Sequence, residues 1–520
     1  MMAPERPELP RGWVWTTLGE VGVVSSGGTP STADPANFDG DIPWLTPADL
    51  SAFHGKVVFG GRRTLSQKGL NESSAKLLPA GTILFSSRAP VGYVAIAGKA
   101  LATNQGFKNL TPHGGVYNEF VFYYLKANRK LAENWASGTT FLELSASRFA
   151  QLPMPLPPTA EQRRIVAKIE ELFTQLDTGV EALRQAQAQL KRYRQAVLKA
   201  AFEGRLTEEW RRAHPLESAS TLLGQSGQQR WRPAAPAEGG AGGYDGAGGE
   251  VALVSETRLP ALPPGWGWIP FGRLLSELRN GFFAGAPADE PPGMPILRIS
   301  AVRPLQVNLE SPRYVRDVAA KASHYLLKDG DLLFTRYNGS LEFVGACGMV
   351  RGLRRPMIYP DKLIRVRLLE GVLPDYIELY FAAAVPRGII EKKAKSTAGQ
   401  HGIAGSELRS VPVALAPPAE QDQVVSRAQA LLSVADQVEA AIEQGLKRAE
   451  RLRQAILKRA FEGKLVPQDP SDEPAEVLLE RIRAERYARS ATSTKGREGR
   501  EKGARGRRRA STEARQERLL

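Results

Sequence analysis

Two arginines stand where their side chains could read nucleic-acid bases. Arg88 and Arg336 follow apolar G-x-x-L-F segments at 81–85 and 330–334, and each lies in a loop that contains glycine. An arginine side chain donates two hydrogen bonds to guanine O6 and N7, the commonest base-specific contact in protein–DNA complexes. Because each arginine comes directly after a predicted strand, we expect both to contact DNA.

Neighbouring polar side chains extend this candidate contact set. Asparagine and glutamine pair with adenine, tyrosine stacks on bases, and hydroxyls donate to phosphates. The glycines of the segment SGGTP at 26–30 would let a phosphate approach the backbone, although this segment could equally be an ordinary turn. Asn104 and Gln105 could instead cap backbone groups. The candidate DNA-binding residues are Ser26, Gly27, Gly28, Thr29, Arg88, Asn104, Gln105, Arg336, Tyr337, Asn338 and Ser340.

A magnesium-dependent nuclease is the main alternative chemistry. Asp361 and the segment EKK at 391–393 fit the loose PD-(D/E)xK form, in which two carboxylates hold Mg²⁺ and a lysine supports the attacking water. This pattern arises by chance in many long chains. The sequence has no P-loop and no [DN]-P-P-[YFW] tetrapeptide, and its histidines are scattered beside a single cysteine. We therefore expect no catalytic residue, metal site or cofactor in this chain.

The charge balance favours an anionic partner. The 520 residues carry a net charge of +15, and nucleic acid is the default partner of so basic a protein. An Arg-rich tail at 491–520 accounts for only part of the excess. The lone Cys347 excludes a disulfide within the chain and fits a reducing compartment. No signal region or apolar run of ~18 residues is visible, so we expect a cytoplasmic protein without a membrane span.

The chain contains an internal repeat. The segment LPRGWVW at 9–15 returns as LPPGWGW at 262–268, and RQAVLKAAFEGRL at 194–206 returns as RQAILKRAFEGKL at 453–465. From Pro153 onward the offset is constant at 259 residues, whereas upstream it varies between 249 and 253. Each copy therefore has a variable globular part and a part of fixed length.

The fixed part of each copy predicts a long helix. Thr159 and Gln162 have the spacing of a capping box, and Gly204 and Gly463 are natural C-terminal caps. Apolar residues between them alternate at three and four positions, as in a coiled-coil seam. A helix of about 45 residues would be ~67 Å long. The predicted seam residues are Ile165, Ile169, Leu172, Leu176, Leu183, Leu190, Val197, Val424, Leu431, Val438, Ile442, Leu452 and Ile456.

These patterns predict an α+β fold with two globular mixed α/β domains. Two long helices separate the domains and form an antiparallel coiled coil about an internal pseudo-twofold axis. Two amphipathic helices that each pack on their own domain are the alternative. The predicted boundaries are 8–157 and 261–416 for the domains, 158–205 and 417–465 for the helices, 206–260 for a flexible linker, and 466–520 for a C-terminal extension with a disordered basic tail.

Local patterns also predict individual elements of the domains. Strands are expected at 82–85, 91–97, 332–334 and 363–369, and helices at 120–131 and 376–384. A twofold axis perpendicular to the paired helices would send the two domains to opposite ends. DNA-binding dimers use such symmetry to place two readers on successive grooves, so the helices would act as a ruler between two reading heads.

The repeated order of variable domain, P-x-A-E-Q exit, long helix and AFEGxL closure resembles the specificity subunit of Type I restriction-modification systems, from about Leu9 to Arg486. The resemblance implies two target-recognition domains that each read half of a split double-stranded DNA site, and two helical spacers.

The resemblance also implies partners for this non-catalytic chain. Two methyltransferase subunits and motor-nuclease subunits would bind it, and S-adenosylmethionine, ATP and Mg²⁺ would belong to them. A Gly/Ala-rich linker at 234–249 and the Arg-rich tail depart from the pattern. Besides the nuclease, a structural coiled-coil adaptor that does not bind DNA remains the alternative reading.

Overall fold

The computed structural model describes residues 8–88, 90–138, 142–214, 218–219, 221, 259–316, 322–397 and 399–488. The expected Gly/Ala linker and the Arg-rich tail lie outside these residues. The chain divides into two compact units, of which unit 1 comprises Met1–Ala182 with Gly445–Leu520 and unit 2 comprises Leu183–Gln444. Each unit therefore combines one globular domain with parts of two long helices.

A five-stranded sheet is the centre of the globular part of unit 1. The strands are β1 (Val14–Thr17), β2 (Gly22–Ser26), β3 (Phe38–Leu45), β4 (Val57–Val58), β5 (Arg63–Leu65), β6 (Ile83–Ser86), β7 (Val94–Ala97), β8 (Ala102–Thr103), β9 (Phe107–Pro112) and β10 (Pro153–Leu156). The helices are α1 (Leu18–Val21), α2 (Gln67–Asn71), α3 (Asn118–Ala127), α4 (Arg129–Trp135) and α5 (Ala146–Gln151). The main sheet has the order β2-β9-β6-β7-β4, beside a sheet β5-β3-β8 and the antiparallel pair β1-β10.

A four-stranded sheet takes the same place in unit 2. Its strands are β11 (Gly267–Pro270), β12 (Leu275–Asn280), β13 (Met294–Ile296), β14 (Val302–Arg303), β15 (Gln306–Val307), β16 (Arg313–Val315), β17 (Leu332–Thr335), β18 (Tyr337–Asn338), β19 (Cys347–Met349), β20 (Leu363–Leu368), β21 (Lys395–Thr397), β22 (Gln400–Gly402) and β23 (Pro412–Leu415). The main sheet has the order β12-β20-β17-β19, and a smaller sheet has the order β18-β22-β21. The remaining strands form the pairs β11-β23, β13-β16 and β14-β15.

The helices complete the two units. After α6 (Thr159–Phe202) come α7 (Glu208–Ala213), α8 (Pro374–Ala382), α9 (Ala384–Lys393), α10 (Gly405–Arg409) and α11 (Pro418–Phe461). The expected strands correspond to β6, β7, β17 and β20, and the expected helix at 376–384 corresponds to α8. The helix expected at 120–131 is divided at Asn128, where α3 ends and α4 begins. The local apolar patterns were therefore sufficient to find these elements.

The two long helices, α6 and α11, contain 44 residues each and run antiparallel within each unit. In unit 2, Arg194 pairs with Asp436 at 2.6 Å, and Arg427 donates to the carbonyl of Leu206 at 2.6 Å. In unit 1, the equivalent Arg453 pairs with Asp177. Each arginine and each aspartate lies 259 residues from its counterpart, so each ion pair joins one copy of the repeat to the other. The same interhelical contact, made by equivalent residues, is therefore present in each unit.

The buried stripe of these helices follows the predicted seam only in part. Ile165, Ile169 and Val197 in α6 and Val424 and Ile442 in α11 are buried. Leu172, Leu176, Leu183, Leu190, Leu431 and Ile456 are half-buried.

Val438 and Leu452 lie outside the buried stripe, each 43% exposed, so the seam prediction is wrong for them. At about 100° per residue, Leu452 points about 80° away from the buried Ala460, and Val438 about 60° away from the buried Ala435. A strict alternation of three and four residues has a period of about 3.5, whereas an α-helix has about 3.6 residues per turn. Over many turns, positions predicted by the alternation therefore rotate away from the buried face of the helix.

The P-x-A-E-Q motif anchors each long helix to its domain. The indole Nε1 of Trp13 donates to Glu161 at 3.0 Å, and that of Trp266 donates to Glu420 at 2.8 Å. Burial raises the pKa of Glu161, although hydrogen bonds from Trp13 and Gln468 favour its charged form. The repeated LPxGWxW and P-x-A-E-Q motifs are thus two sides of one buried contact.

The glutamine of the same motif makes a second repeated contact. Gln162 accepts a hydrogen bond from the amide of Tyr117 at 2.7 Å and donates to the carbonyl of Pro157 at 2.9 Å. Thr159 donates to the carbonyl of Gly115 at 2.8 Å. The expected Thr159–Gln162 capping box is therefore wrong, because both side chains are engaged with groups outside the first helical turn.

The AFEGxL closure of each copy packs on the domain of the other copy. In unit 1, Phe461 contacts Phe120 and Tyr124, with ring centroids 5.3 and 5.2 Å apart. In unit 2, Phe202 contacts Tyr376 and Tyr380 at 5.2 and 5.0 Å. Aromatic pairs in this edge-to-face geometry stabilise a core by about 0.5–1.5 kcal/mol beyond their buried area.

The glycine of each closure ends a long helix, as expected. Gly204 has φ +69° and Gly463 has φ +67°, a region that glycine enters without strain. A Cβ atom on Gly204 would lie 2.3 Å from Cγ of Pro263, and one on Gly463 would lie 2.3 Å from Cγ of Pro10. Glycine is therefore required twice, by the backbone conformation and by the approach of the proline.

A helix at 475–488 (α12) packs on unit 1 and was not expected from the sequence. Leu478, Leu479 and Ile482 are buried in the core of this unit. Arg483 pairs with Glu20 at 2.9 Å. Part of the expected C-terminal extension is therefore an integral element of the globular fold.

Candidate nucleic-acid interface

Three candidate segments of unit 1 meet at one end of the five-stranded sheet. The amide of Gly28, after β2, donates to the carbonyl of Thr103 at 2.9 Å. The amide of Ser87, after β6, donates to the carbonyl of Gly106 at 2.7 Å. These bonds hold the loops after β2 and β6 against the turn between β8 and β9. The segments around Ser26, Arg88 and Asn104 thus form one surface, named here reading surface 1.

Polar and charged side chains cover reading surface 1. The hydroxyl of Thr29 donates to the carboxamide oxygen of Gln105. The Glu143 carboxylate lies 3.7 Å from Nη1 of Arg88 and 3.5 Å from Nζ of Lys108. The Arg88 side chain is 37% exposed, so an approaching ligand can reach it. Lys108 and Glu143 were missed in the sequence because they come from β9 and from a distant loop.

Two glycines of this surface have a different role from the expected one. Gly27 and Gly28 are buried, and their added Cβ atoms would lie 2.1 Å from the carbonyl oxygen of Asn104 and 2.2 Å from the amide nitrogen of Ala75. They therefore admit other protein segments rather than a phosphate, which corrects that expectation. Asn104 accepts a hydrogen bond from the amide of Gly106 at 2.9 Å, as in the capping alternative.

The candidate residues of unit 2 form a second surface, reading surface 2. Tyr337 and Asn338 make up β18 at the end of the main sheet, directly after Arg336. The Arg336 guanidinium lies 4.8 Å from the ring centre of Tyr337, within range of a cation–π contact. Asn338 accepts a hydrogen bond from the amide of Ser340 at 2.9 Å, which fixes this turn. Ser340 is exposed.

The same backbone hydrogen bonds support both reading surfaces. The equivalent donor–acceptor pairs are Gly28 to Thr103 and Phe282 to Tyr359, and Ser87 to Gly106 and Arg336 to Lys362, with N–O distances of 2.7 to 2.9 Å. Arg336 therefore corresponds to Ser87, and Tyr337 corresponds to Arg88. Arg88 therefore lies one position further along the chain than the equivalent of Arg336. The Cα atoms of the two arginines occupy different positions on the common backbone scaffold.

This equivalence identifies two residues that the sequence analysis missed as interface candidates. The segments that supply the acceptor carbonyls, 103–106 in unit 1 and 359–362 in unit 2, are 256 residues apart in the sequence. Asp361 therefore occupies the position of Gln105. The amide of Asp361 donates to the carbonyl of Phe282 at 3.0 Å, beside the 80% exposed Phe283. Aligning β2 with β12 in the sequence would have revealed Phe283, and aligning β9 with β20 would have revealed Asp361.

Asp361 lies on reading surface 2, where its amide contacts the carbonyl of Phe282. Glu391, its partner in the nuclease pattern, lies on α9 and pairs with Arg387 at 3.3 Å. Within the described ranges, no cluster of three or more histidine, cysteine or acidic residues could hold a metal ion. The geometry gives no support to a PD-(D/E)xK centre.

No helix in the described part of the chain is both long and apolar enough to cross a membrane. The long helices α6 and α11 contain many charged residues among their apolar ones.

Comparisons with known proteins agree with this architecture. The family model "Type I restriction modification DNA specificity domain" matches residues 10–191. The specificity subunit of Type I restriction enzyme EcoKI from Escherichia coli (strain K12) is 31% identical over 507 residues, which cover 92% of this chain and 97% of that protein. The specificity subunit of enzyme MjaIX from Methanocaldococcus jannaschii is 39% identical over 160 residues, or 30% of this chain and 37% of that protein.

A solved structure described as the basis of complex assembly and conformational transition of the type I R-M system has the same fold. It is superposed with a TM-score of 0.59 and 19% identity, covering 88% of this chain and all of that one. With the repeated motifs and the near full-length relative, these likenesses establish that the chain belongs to the family of Type I restriction enzyme specificity subunits.

Proposed function

We propose that the chain reads a bipartite double-stranded DNA target, with each reading surface contacting one half-site. The observation that carries this proposal is the shared hydrogen-bond scaffold, which presents different side chains in the two units. Thr29, Arg88 and Gln105 occupy it in unit 1, and Phe283, Tyr337 and Asp361 occupy the corresponding positions in unit 2. A common scaffold with different side chains is suited to the recognition of two different sequences.

The chemistry of the exposed groups supports base reading. Arg88 can donate to guanine O6 and N7, whereas the carboxylate of Asp361 can accept from the N4 amino group of cytosine. The basic excess of the chain supplies sequence-independent attraction to phosphates, which weakens as salt rises. Positioning by phosphates and selection by base contacts together give specific binding.

The family implies the partners. In this proposal the chain is a non-catalytic cytoplasmic scaffold for two methyltransferase subunits and for motor-nuclease subunits. S-adenosylmethionine, ATP and Mg²⁺ are used by those partners, and the chain itself supplies the DNA sequence preference.

A map of N6-methyladenine in the source genome, with and without this gene, tests the proposal. We expect a split motif with a fixed gap to lose its methylation in the deletion strain. Identical maps, together with no sequence preference of the assembled methyltransferase in binding assays, would contradict the proposal and favour the adaptor reading.

Single substitutions then assign the half-sites. Arg88→Ala should weaken discrimination within one half-site and Arg336→Ala within the other, each by about 5-fold to 150-fold, which corresponds to ~1–3 kcal/mol for one bidentate base contact. Binding of the assembled methyltransferase to duplexes with one half-site scrambled measures this. Arg212→Ala, which removes a 74% exposed arginine from α7, is the control. Equal losses at both half-sites would argue against two separate readers.

A further inference from the structure

The loop between β12 and β13 presents an exposed aromatic ring at reading surface 2. Phe283 is 80% exposed, whereas the preceding Phe282 packs edge-to-face on Tyr325 with ring centroids 5.4 Å apart. The amide of Phe282 donates to Tyr359 and its carbonyl accepts from Asp361, at 2.8 and 3.0 Å. The backbone next to Phe283 is therefore fixed while its ring stays in solvent.

The far side of this loop is also held in place. Ala288 and Tyr314 exchange two backbone hydrogen bonds of 2.8 and 2.9 Å. The Asp289 carboxylate accepts a hydrogen bond from Arg298 at 2.7 Å and lies 3.1 Å from Nε of Arg313. The bond to Arg298, followed by the charge of Arg313, lowers the pKa of this carboxyl. The two arginine side chains are 41% and 37% exposed. Positive groups thus flank the loop that carries Phe283.

The equivalent residue of unit 1 places Phe283 within the interface. Gly281 corresponds to Gly27, because both glycines lie against an equivalent carbonyl oxygen. A Cβ atom added to Gly281 would lie 2.0 Å from the oxygen of Pro360, and one added to Gly27 would lie 2.1 Å from that of Asn104. Two residues further on, Phe283 corresponds to Thr29. The Thr29 hydroxyl contacts Gln105 on reading surface 1. A single exposed phenylalanine is unremarkable on a protein surface, but this one occupies a candidate reading position.

We propose that Phe283 is a specificity-determining residue that inserts its ring against a base step of the half-site read by unit 2. This inference rests on the proposed function. Apolar side chains that enter a groove partly unstack base steps, and stacking of a base on an aromatic ring contributes about 1–3 kcal/mol. The half-site read by unit 1 meets Thr29 instead and keeps its stacking. The two half-sites are thus distinguished by deformability as well as by hydrogen bonding.

The test uses the full chain assembled with its methyltransferase subunits and duplexes that carry the mapped motif. 2-Aminopurine replaces, one position at a time, each adenine except the methylated ones, because methyltransferases themselves flip the target base. With the unsubstituted chain we expect fluorescence to rise several-fold at one position in the second half-site. Phe283→Ala should abolish this rise and weaken binding about 5-fold to 150-fold, and Phe283→Leu should retain part of both effects.

Controls separate this inference from the proposed function. Phe59→Ala removes a 60% exposed ring that follows β4 and should leave binding and fluorescence unchanged. If Phe283→Ala keeps the original affinity and fluorescence while Arg336→Ala loses discrimination within its half-site, the inference is wrong and the two-reader function stands.

If Phe283→Ala impairs assembly with methyltransferase subunits but not DNA binding, the ring is a protein contact and the inference is also wrong. Failure of the unsubstituted complex to distinguish the motif from a scrambled duplex would overturn the function itself.

Discussion

The helix anchor of unit 2 is ionic, whereas that of unit 1 has neutral hydrogen-bond donors. Glu420 accepts from Trp266 at 2.8 Å, from Thr207 at 2.7 Å and from Arg211 at 2.7 Å. Its counterpart Glu161 accepts hydrogen bonds from two neutral donors, the indole of Trp13 at 3.0 Å and the carboxamide of Gln468 at 3.3 Å.

This difference arises outside the repeated motifs. Thr207 and Arg211 follow the first AFEGxL closure and Gln468 follows the second, where the two copies no longer match. Both copies of the repeat thus keep the buried glutamate, but residues outside the repeated motifs determine whether an arginine pairs with it. The reading surfaces show the same division between a common scaffold and changed side chains.

Removal of each anchor carboxylate should give the largest effect and the clearest contrast. Glu420→Ala leaves the Arg211 guanidinium, only 12% exposed, without its ion pair, which typically costs about 3–5 kcal/mol. Glu161→Ala leaves neutral donors unsatisfied and should cost about 1–3 kcal/mol. Hydrogen exchange of peptides from each unit in the full-length chain measures the two losses. Equal destabilisation of the two units would show that the charge of Arg211 is not decisive.

The terminating glycines should respond alike in the two units. Gly204→Ala and Gly463→Ala each force a side chain into a left-handed backbone and against a proline, and we expect a loss of about 1–3 kcal/mol in each case. Gly179→Ala is a matched control, because an added Cβ atom there meets nothing within 4 Å in the middle of α6. It should stabilise the helix by about 0.5–1 kcal/mol. Thermal unfolding distinguishes the opposite signs, and a loss at Gly179 would refute this account.

The interhelical ion pairs should give the smallest effect. Arg194 pairs with Asp436 and also with Glu439, at 2.6 and 2.7 Å, whereas Arg453 pairs with Asp177 and lies 4.6 Å from the ring centre of Phe173. Partly exposed pairs typically contribute about 0.2–1 kcal/mol. Double-mutant cycles of Arg194 with Asp436 and of Arg453 with Asp177 should give couplings in this range that fall with added salt. Coupling that is independent of salt would contradict an electrostatic origin.

The strand ends that carry the candidate residues could be predicted from the sequence more reliably than the surroundings of those residues. The G-x-x-L-F strands placed Arg88 and Arg336 at a strand end, and both residues lie there in the structure. The adjacent glycines gave a misleading signal, because glycine admits a ligand or another protein segment equally well. Gly27 and Gly28 admit the segments at Asn104 and Ala75, which are distant in the sequence. Asp361 was assigned to a nuclease pattern for the same reason, since a short motif does not contain its surroundings.

By itself, the sequence determined the internal repeat, the two long helices and their terminating glycines. These features depend on helical periodicity and on local backbone preferences, which neighbouring residues encode. Only the tertiary structure decided that Phe202 and Phe461 pack on the domain of the opposite copy and that Glu161 and Glu420 bind the repeated tryptophans. It also decided which side chains share each reading surface. The physical reason is that these contacts join residues far apart in the chain, and burial and hydrogen-bond geometry fix them only when the whole unit is packed.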